Sequence, residues 1–286
     1  MSGLNSDLNI AKTFKLFMNG EFPRTESGRS FPVYFAKGKK LYANLCLASR
    51  KDFRNAVSFA KDAQKSWSGK SAYNRSQILY RMAEMMEAKR EEFYGVLQDT
   101  LGLTNQNAKK EVDDALTALV YYAGFCDKYS QVIGAVNPVA GPHHNFTTPE
   151  PVGSVVYIAN EKFSLSHFMR SLGAILCSGN TLVMIMARDG AASIAPISEV
   201  MATSDLPKGV VNLLSGDIKE LLETIGSHME VESLCYDASL DADFAVLQKL
   251  GIENFKRLVR GMDHENNLQN ILRFVEYKTV WHPIGN

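Results

Sequence analysis

The sequence predicts an α/β chain: a doubly wound parallel sheet of five strands, with helices ahead of it and a small β element behind. Three observations carry that reading. Short apolar runs alternate with helical segments across residues 154–261. Amphipathic helical patterns dominate residues 1–130, and the last apolar stretch alternates with a period of two. The chain has 286 residues, 45% hydrophobic and 22% charged, enough apolar material for one large domain or two small ones, which excludes disorder.

The first helix opens at Ser49-Arg50-Lys51-Asp52, where serine can cap and aspartate can close a capping box, and its core stripe is Phe53, Ala56, Val57 and Ala60. The second carries Ile78, Leu79, Met82 and Met86, with Phe93, Val96 and Leu97 beyond. The third carries Val112, Ala115, Leu116, Leu119 and Val120. Residues 131–153 switch to extended chain broken by Asn137-Pro138, Gly141-Pro142 and Pro149-Glu150-Pro151; the prolines exclude a helix and favour a hairpin. Strands are then predicted at 155–158, 182–186, 210–214, 231–236 and 255–259, giving a five-stranded, Rossmann-like sheet. Residues 262–286 form a linker and a final strand, with Val275, Tyr277, Thr279 and Trp281 on one face as an apolar side to bury.

Lys plus Arg number 31 and Asp plus Glu number 31, so no field of one sign recruits nucleic acid or anionic lipid. Residues 1–8 lack a basic and then apolar leader pattern, and aliphatic runs such as 182–187 are too short to span a bilayer, so a cytoplasmic location is expected. Cys46, Cys126, Cys177 and Cys235 form no C-x-x-C pair and read as reduced packing residues. No G-x-G occurs, and Gly69-Lys70-Ser71 has Gln64 where a P-loop needs glycine, so it reads as a turn. His143 and His144 are adjacent in extended chain and leave on opposite faces. His167, His228, His264 and His282 have no carboxylate or cysteine at ligand spacing and read as structural or exposed. No metal and no cofactor is expected.

Several blocks fall in one order: Trp67-Ser68, Arg75, Leu79, Glu111-Val112-Asp113, Tyr121-Tyr122-Ala123-Gly124, Glu150-Pro151-Val152-Gly153, Gly179-Asn180-Thr181, Leu206-Pro207-Lys208-Gly209 and Gly226-Ser227-His228-Met229. In that order and near spacing the chain resembles the aldehyde dehydrogenase superfamily over residues 10–261 and again in the tail. The resemblance also exposes departures. Asn160-Glu161-Lys162-Phe163-Ser164 stands where the family has Pro-Trp-Asn-Phe-Pro, putting Lys162 at the position of the oxyanion-stabilising amide. Ile185-Met186-Ala187-Arg188 replaces the Lys-Pro-Ala-Glu that holds the adenosine ribose. Asp237-Ala238-Ser239 replaces the Thr-Gly-Ser before the pyrophosphate helix, and Leu258-Val259-Arg260-Gly261-Met262 lacks the general-base glutamate. None of the four cysteines aligns with the family's nucleophile, and the chain passes from the coenzyme domain to the oligomerisation strand without the catalytic domain between.

The resemblance therefore implies a catalytically silent subunit, like the silent second domain of two-domain aldehyde dehydrogenases, that docks by β-strand pairing onto a full-length aldehyde dehydrogenase. The interface residues implied are Phe274, Val275, Tyr277, Thr279, Val280 and Trp281. Self-association through the same strand, or pairing of that strand within its own chain, are the alternatives for the tail. Two other functions remain open from sequence: an NAD(H) or adenine-nucleotide binding module, and an oxidoreductase acting on aldehydes by an altered mechanism.

Overall fold

A computed structural model describes residues 12–285; the leader reading of residues 1–8 lies outside the described residues. The chain opens with strands β1 (Thr13–Phe14), β2 (Ser30–Tyr34) and β3 (Leu41–Cys46), which form a small sheet in the order β1-β3-β2. The reading of residues 1–130 as dominated by helices named no strand there; this sheet's strands are too short and irregular to show a period. Helices α1 (Arg50–Ser68), α2 (Ala72–Ala88), α3 (Arg90–Leu101) and α4 (Asn105–Phe125) follow. The predicted capping box is present: Asp52 N–H donates to Ser49 Oγ (3.2 Å) and Ser49 N–H donates to Asp52 Oδ2 (2.8 Å). Phe53, Ala56, Val57 and Ala60 are all fully buried. The predicted second helix is two, broken at Lys89 (φ −107°, ψ 16°), and the break keeps Phe93, Val96 and Leu97 facing the core. Gly69-Lys70-Ser71 is the predicted turn, with Ser71 capping α2.

After the short α5 (Tyr129–Ile133), strands β4 (Ala135–Asn137) and β5 (His143–Pro151) pair antiparallel as the predicted hairpin. Then β6 (Ser154–Ile158), α6 (Leu165–Cys177), β7 (Thr181–Met186), α7 (Ile194–Thr203), β8 (Val211–Ser215), α8 (Ile218–Ser227), β9 (Ser233–Tyr236), α9 (Asp241–Gly251) and β10 (Arg257–Arg260) build the parallel sheet, in the order β10-β9-β6-β7-β8. Strands β6 to β9 are buried along their whole length, as near-continuous apolar strands covered on both faces must be. The helix α10 (Leu268–Leu272) leads to β11 (Val275–Pro283), which pairs antiparallel with β5 over all nine of its residues. The outer sheet is therefore ordered β11-β5-β4, and the tail pairs with the chain's own hairpin.

One buried amide joins these parts. Asn180, completely buried before β7, accepts from Gly153 N–H (2.8 Å) and donates to Ser178 Oγ (2.7 Å) and to the Phe274 carbonyl (2.8 Å). It ties the entry to β6, the turn before β7 and the root of β11 together, where the Arg257 guanidinium also meets the Val275 carbonyl. Truncation to Asn180→Ala strands the Gly153 donor in the core, at about 1–3 kcal/mol, and leaves the Phe274 carbonyl only its bond from Val152 N–H (3.2 Å). The expected outcome is a loss of about 1–3 kcal/mol in urea unfolding, with earlier amide exchange at the start of β11.

Candidate functional site

Ligands of doubly wound sheets bind at the carboxyl ends of the strands, where the winding reverses direction. Here that point lies between β6, which continues to β7, and β9 on its other side. Helix N-termini converge on such a crevice, and their free N–H groups attract anions. In this chain its own carboxylates meet them. Glu111 Oε2 accepts from Ser166 N–H and from Ser164 Oγ (both 3.0 Å) at the start of α6. Asp217 Oδ1 accepts from Lys219 N–H (3.0 Å) at α8. Glu161 Oε2 accepts from Ser239 N–H (3.1 Å) and Ser239 Oγ (3.0 Å) in the turn entering α9.

Two cavities lie along the crevice. The first, of about 340 Å³, is lined by Glu161, Asp189, Asp217 and Asp243 against only Arg188 and Lys219. The second, of about 250 Å³, lies beside β6, α6 and β9 and contains a cluster that spacing along the chain conceals. His167 Nε2 stands 2.7 Å from Asp237 Oδ2, both side chains almost wholly buried. The imidazole is not aligned for a linear hydrogen bond, so the contact is one of charge and proximity. Asp237 also accepts from the Tyr157 hydroxyl (2.8 Å) and from Met262 N–H (3.3 Å), and the exposed His264 ring lies tilted by 31° against His167, 4.3 Å between centroids. Reading His167 as a histidine without a carboxylate is thus corrected: the β6–α6 crossover carries it under the end of β9, where Asp237 waits.

Burial alone would raise the Asp237 carboxyl, but the neighbouring His167, the Tyr157 hydroxyl and Met262 N–H outweigh it and hold its pKa below the usual value. Burial, reinforced by the charge of Asp237, pushes the Tyr157 hydroxyl well above its ordinary range. The cluster is a shielded carboxylate and imidazole with no cysteine among the cavity's lining residues. All four cysteines are buried, none lines either cavity, and burial pushes the Cys177 and Cys235 thiols well up, away from thiolate chemistry.

The sequence model of the aldehyde dehydrogenase family matches residues 23–267. The chain belongs to the aldehyde dehydrogenase family. It is 29% identical over 245 residues to the mitochondrial benzaldehyde dehydrogenase of Antirrhinum majus, covering 85% of this chain and 45% of that one. It is 26% identical over 258 residues to the mitochondrial 10-formyltetrahydrofolate dehydrogenase of Mus musculus, covering 88% of this chain but 28% of the relative. A solved NAD+ complex of the Bacillus cereus aldehyde dehydrogenase superposes with a TM-score of 0.80 at 26% identity, over 86% of this chain and 50% of the other. The chain spans about half, or less, of the length of the relatives it matches.

The family implies a dinucleotide, and the residues present do not fit one. A pyrophosphate approaching α9 meets Glu161 already on the Ser239 amide, with Asp243 in the first helical turn beside Asp241, which is paired with Arg260 (2.5 Å). Like charges about 4 Å apart repel by about 4 kcal/mol at the effective dielectric of a protein surface, against about 0.3–1 kcal/mol of helix-terminal attraction. At the position of the family's ribose ligands, Arg188 lies over the Phe31 ring (5.2 Å) and near Asp217 (3.8 Å). At the end of the fifth strand, Arg260 packs over the Tyr236 and Phe244 rings (5.1 Å each) and donates to the Ala238 carbonyl (2.9 Å), locking the 237–241 turn.

The sequence-derived interface residues divide. Phe274 and Val275 are buried in the chain's own core and are anchors, which corrects their assignment to a partner surface. Tyr277 and Trp281 are 56% and 60% exposed, Thr279 is exposed and Val280 half-buried. The face of Tyr277, Thr279 and Trp281 is not the apolar side expected. Its neighbours on β4 and β5 form a polar ladder, with Asn137 Nδ2 donating to Asn145 Oδ1 (2.6 Å) and Thr147 Oγ1 (2.8 Å), and Thr147 and Thr279 hydroxyls 2.9 Å apart. Tyr277 and Trp281 flank that ladder in the open.

Two outcomes are expected. Calorimetric titration with NAD or NADP yields no saturable binding tighter than about 1 mM. Because the folded-state pKa of Asp237 is depressed, its contribution is fully present above the unfolded value of about 3.9 and is lost as pH falls below that value through the lower folded-state pKa. Asp237→Asn is therefore less stable than the parent at neutral pH, and the difference closes as denaturation is followed into acid below about pH 4.

Proposed function

We propose that this chain is a catalytically silent aldehyde dehydrogenase-like subunit that docks through its outer sheet onto a full-length aldehyde dehydrogenase and scaffolds or regulates it. The observation that carries the reading is the edge of β11. Nine residues, about 30 Å of strand, pair with β5 on one side and with nothing on the other among the described residues. An open, extended edge of this length is a template for strand addition. The opposite edge, β4, has three residues and runs into Pro138, so it is a poor acceptor. The exposed Tyr277 and Trp281 supply the aromatic anchors that interfaces favour, and Glu276 and Lys278 alternate with them as charges that set register.

Two further points support the reading. Only residues 261–274 separate β10 from β11, the interval in which the family resemblance places a catalytic domain. The crevice offers a buried base but no thiol to act as nucleophile, and acyl transfer needs both within reach of one carbon. The acidic lining of the larger cavity weighs against a nucleotide-binding module.

Co-expression with a full-length aldehyde dehydrogenase from the same source, followed by size-exclusion chromatography with light scattering, is expected to give a stable hetero-oligomer. The double variant Tyr277→Lys, Trp281→Lys keeps the fold, since both side chains are exposed, and abolishes co-elution. A chain that never co-elutes, or aldehyde turnover by the chain alone, contradicts the proposal.

A further inference from the structure

We propose that the far end of the outer sheet holds a divalent transition-metal ion between His144 and His282. His143 and His144 leave β5 on opposite faces, so these neighbours in sequence cannot chelate one ion together. The fold supplies the second imidazole from another strand. His282 of β11 stands directly opposite His144, which puts both side chains on one face. At the two ends of this ladder the Phe274 carbonyl accepts from Val152 N–H (3.2 Å) and Ile284 N–H donates to the Pro142 carbonyl (2.9 Å). Even-numbered residues of β11 therefore turn their backbone toward β5, and His282 and His144 form a hydrogen-bonded pair with Cα atoms about 5.5 Å apart.

That spacing suits a chelate. Tetrahedral coordination at about 2.0–2.1 Å needs two ring nitrogens about 3.3 Å apart, within reach of imidazoles whose Cβ atoms are about 4.5–5.5 Å apart. Both histidines are exposed, and among the described residues neither side chain makes a hydrogen bond or an ion pair, so rings turned toward each other give none up. Beside them on that face lie Phe146, which rests against His144 (5.5 Å between centroids), and Val280 across from it. The next charges along the face, Lys278 and Glu150, are paired with each other (3.1 Å), so no free cation repels an ion. Among the described residues no group of three or more histidine, cysteine or carboxylate side chains gathers for a metal, so two imidazoles and water make the shell. Two neutral nitrogens select Cu²⁺ or Zn²⁺ over Mg²⁺ and Ca²⁺, which prefer oxygen. The consequence is mechanical: β11 is anchored at Val275 through Arg257, and an ion at His282 pins its opposite end to β5.

Calorimetric titration of the full chain with Cu²⁺ and with Zn²⁺ tests this, with Mg²⁺ as the hard-ion control. Saturable binding is expected for the transition ions and none for Mg²⁺. His144→Gln and His282→Gln, both at exposed positions that leave the fold intact, each weaken the site at least about tenfold, because one imidazole cannot chelate. His143→Gln, on the opposite face, leaves it unchanged. Paramagnetic Cu²⁺ broadens the ring resonances of His144 and His282 first, and Zn²⁺ slows amide exchange at His282 and Ile284, whose N–H groups face β5. Binding that saturates with neither ion, Mg²⁺ that competes, or affinity indifferent to both His144→Gln and His282→Gln overturns the proposal.

Discussion

A helix that begins beside a buried crevice brings N–H groups that something negative has to meet, and the identity of that partner decides what the crevice can hold. This chain meets the need from within: Glu111 at α6, Asp217 at α8 and Glu161 at the entry to α9. A fold of this kind reserves such positions for phosphates. With carboxylates hydrogen-bonded there, the helix ends are already satisfied, and a dinucleotide would have to displace negative charge while bringing its own. The parallel sheet survives as a scaffold. What it scaffolds is a small aromatic cavity on one flank and an outer sheet on the other.

The outer sheet depends on the core through its root. Phe274 and Val275 are buried, Asn180 holds the Phe274 carbonyl, and Arg257 holds the Val275 carbonyl. From that fixed point β11 runs out along β5 with Tyr277 and Trp281 exposed and, among the described residues, no strand paired along its other edge. A strand that is rigid at the base and unpaired along its outer edge has already lost the entropy that a disordered segment would surrender on binding. That preorganisation is the physical basis of the docking proposed for this part of the molecule.

What the sequence made legible was local. The Ser49–Asp52 box, the α1 stripe and the hairpin read correctly because each is decided within a turn or two of chain. Each sheet strand also lies within a few residues of its predicted span, since apolar runs and turn residues mark both ends. Features that needed a second segment stayed hidden. His167 and Asp237 belong to different crossovers, and no periodicity connects them. The alternation of Tyr277, Thr279 and Trp281 gave their common face correctly, but whether that face is buried depends on Asn137, Asn145 and Thr147 across the sheet. Lys162 stood out as a departure from the family motif; that it lies at the rim of an aromatic cavity was a matter of folding, not of pattern.

Whether the outer edge of β11 is a pairing surface decides whether this chain is a docking subunit. Residue-resolved amide exchange across Val275–Pro283, measured on the chain alone and again with a full-length aldehyde dehydrogenase, reads it directly. In an antiparallel strand alternate amides point to opposite edges, so one set is protected by β5 throughout. The account predicts that the other set exchanges rapidly in the isolated chain and becomes protected when the partner is added. Unchanged exchange at those alternate amides in the presence of the partner would contradict it.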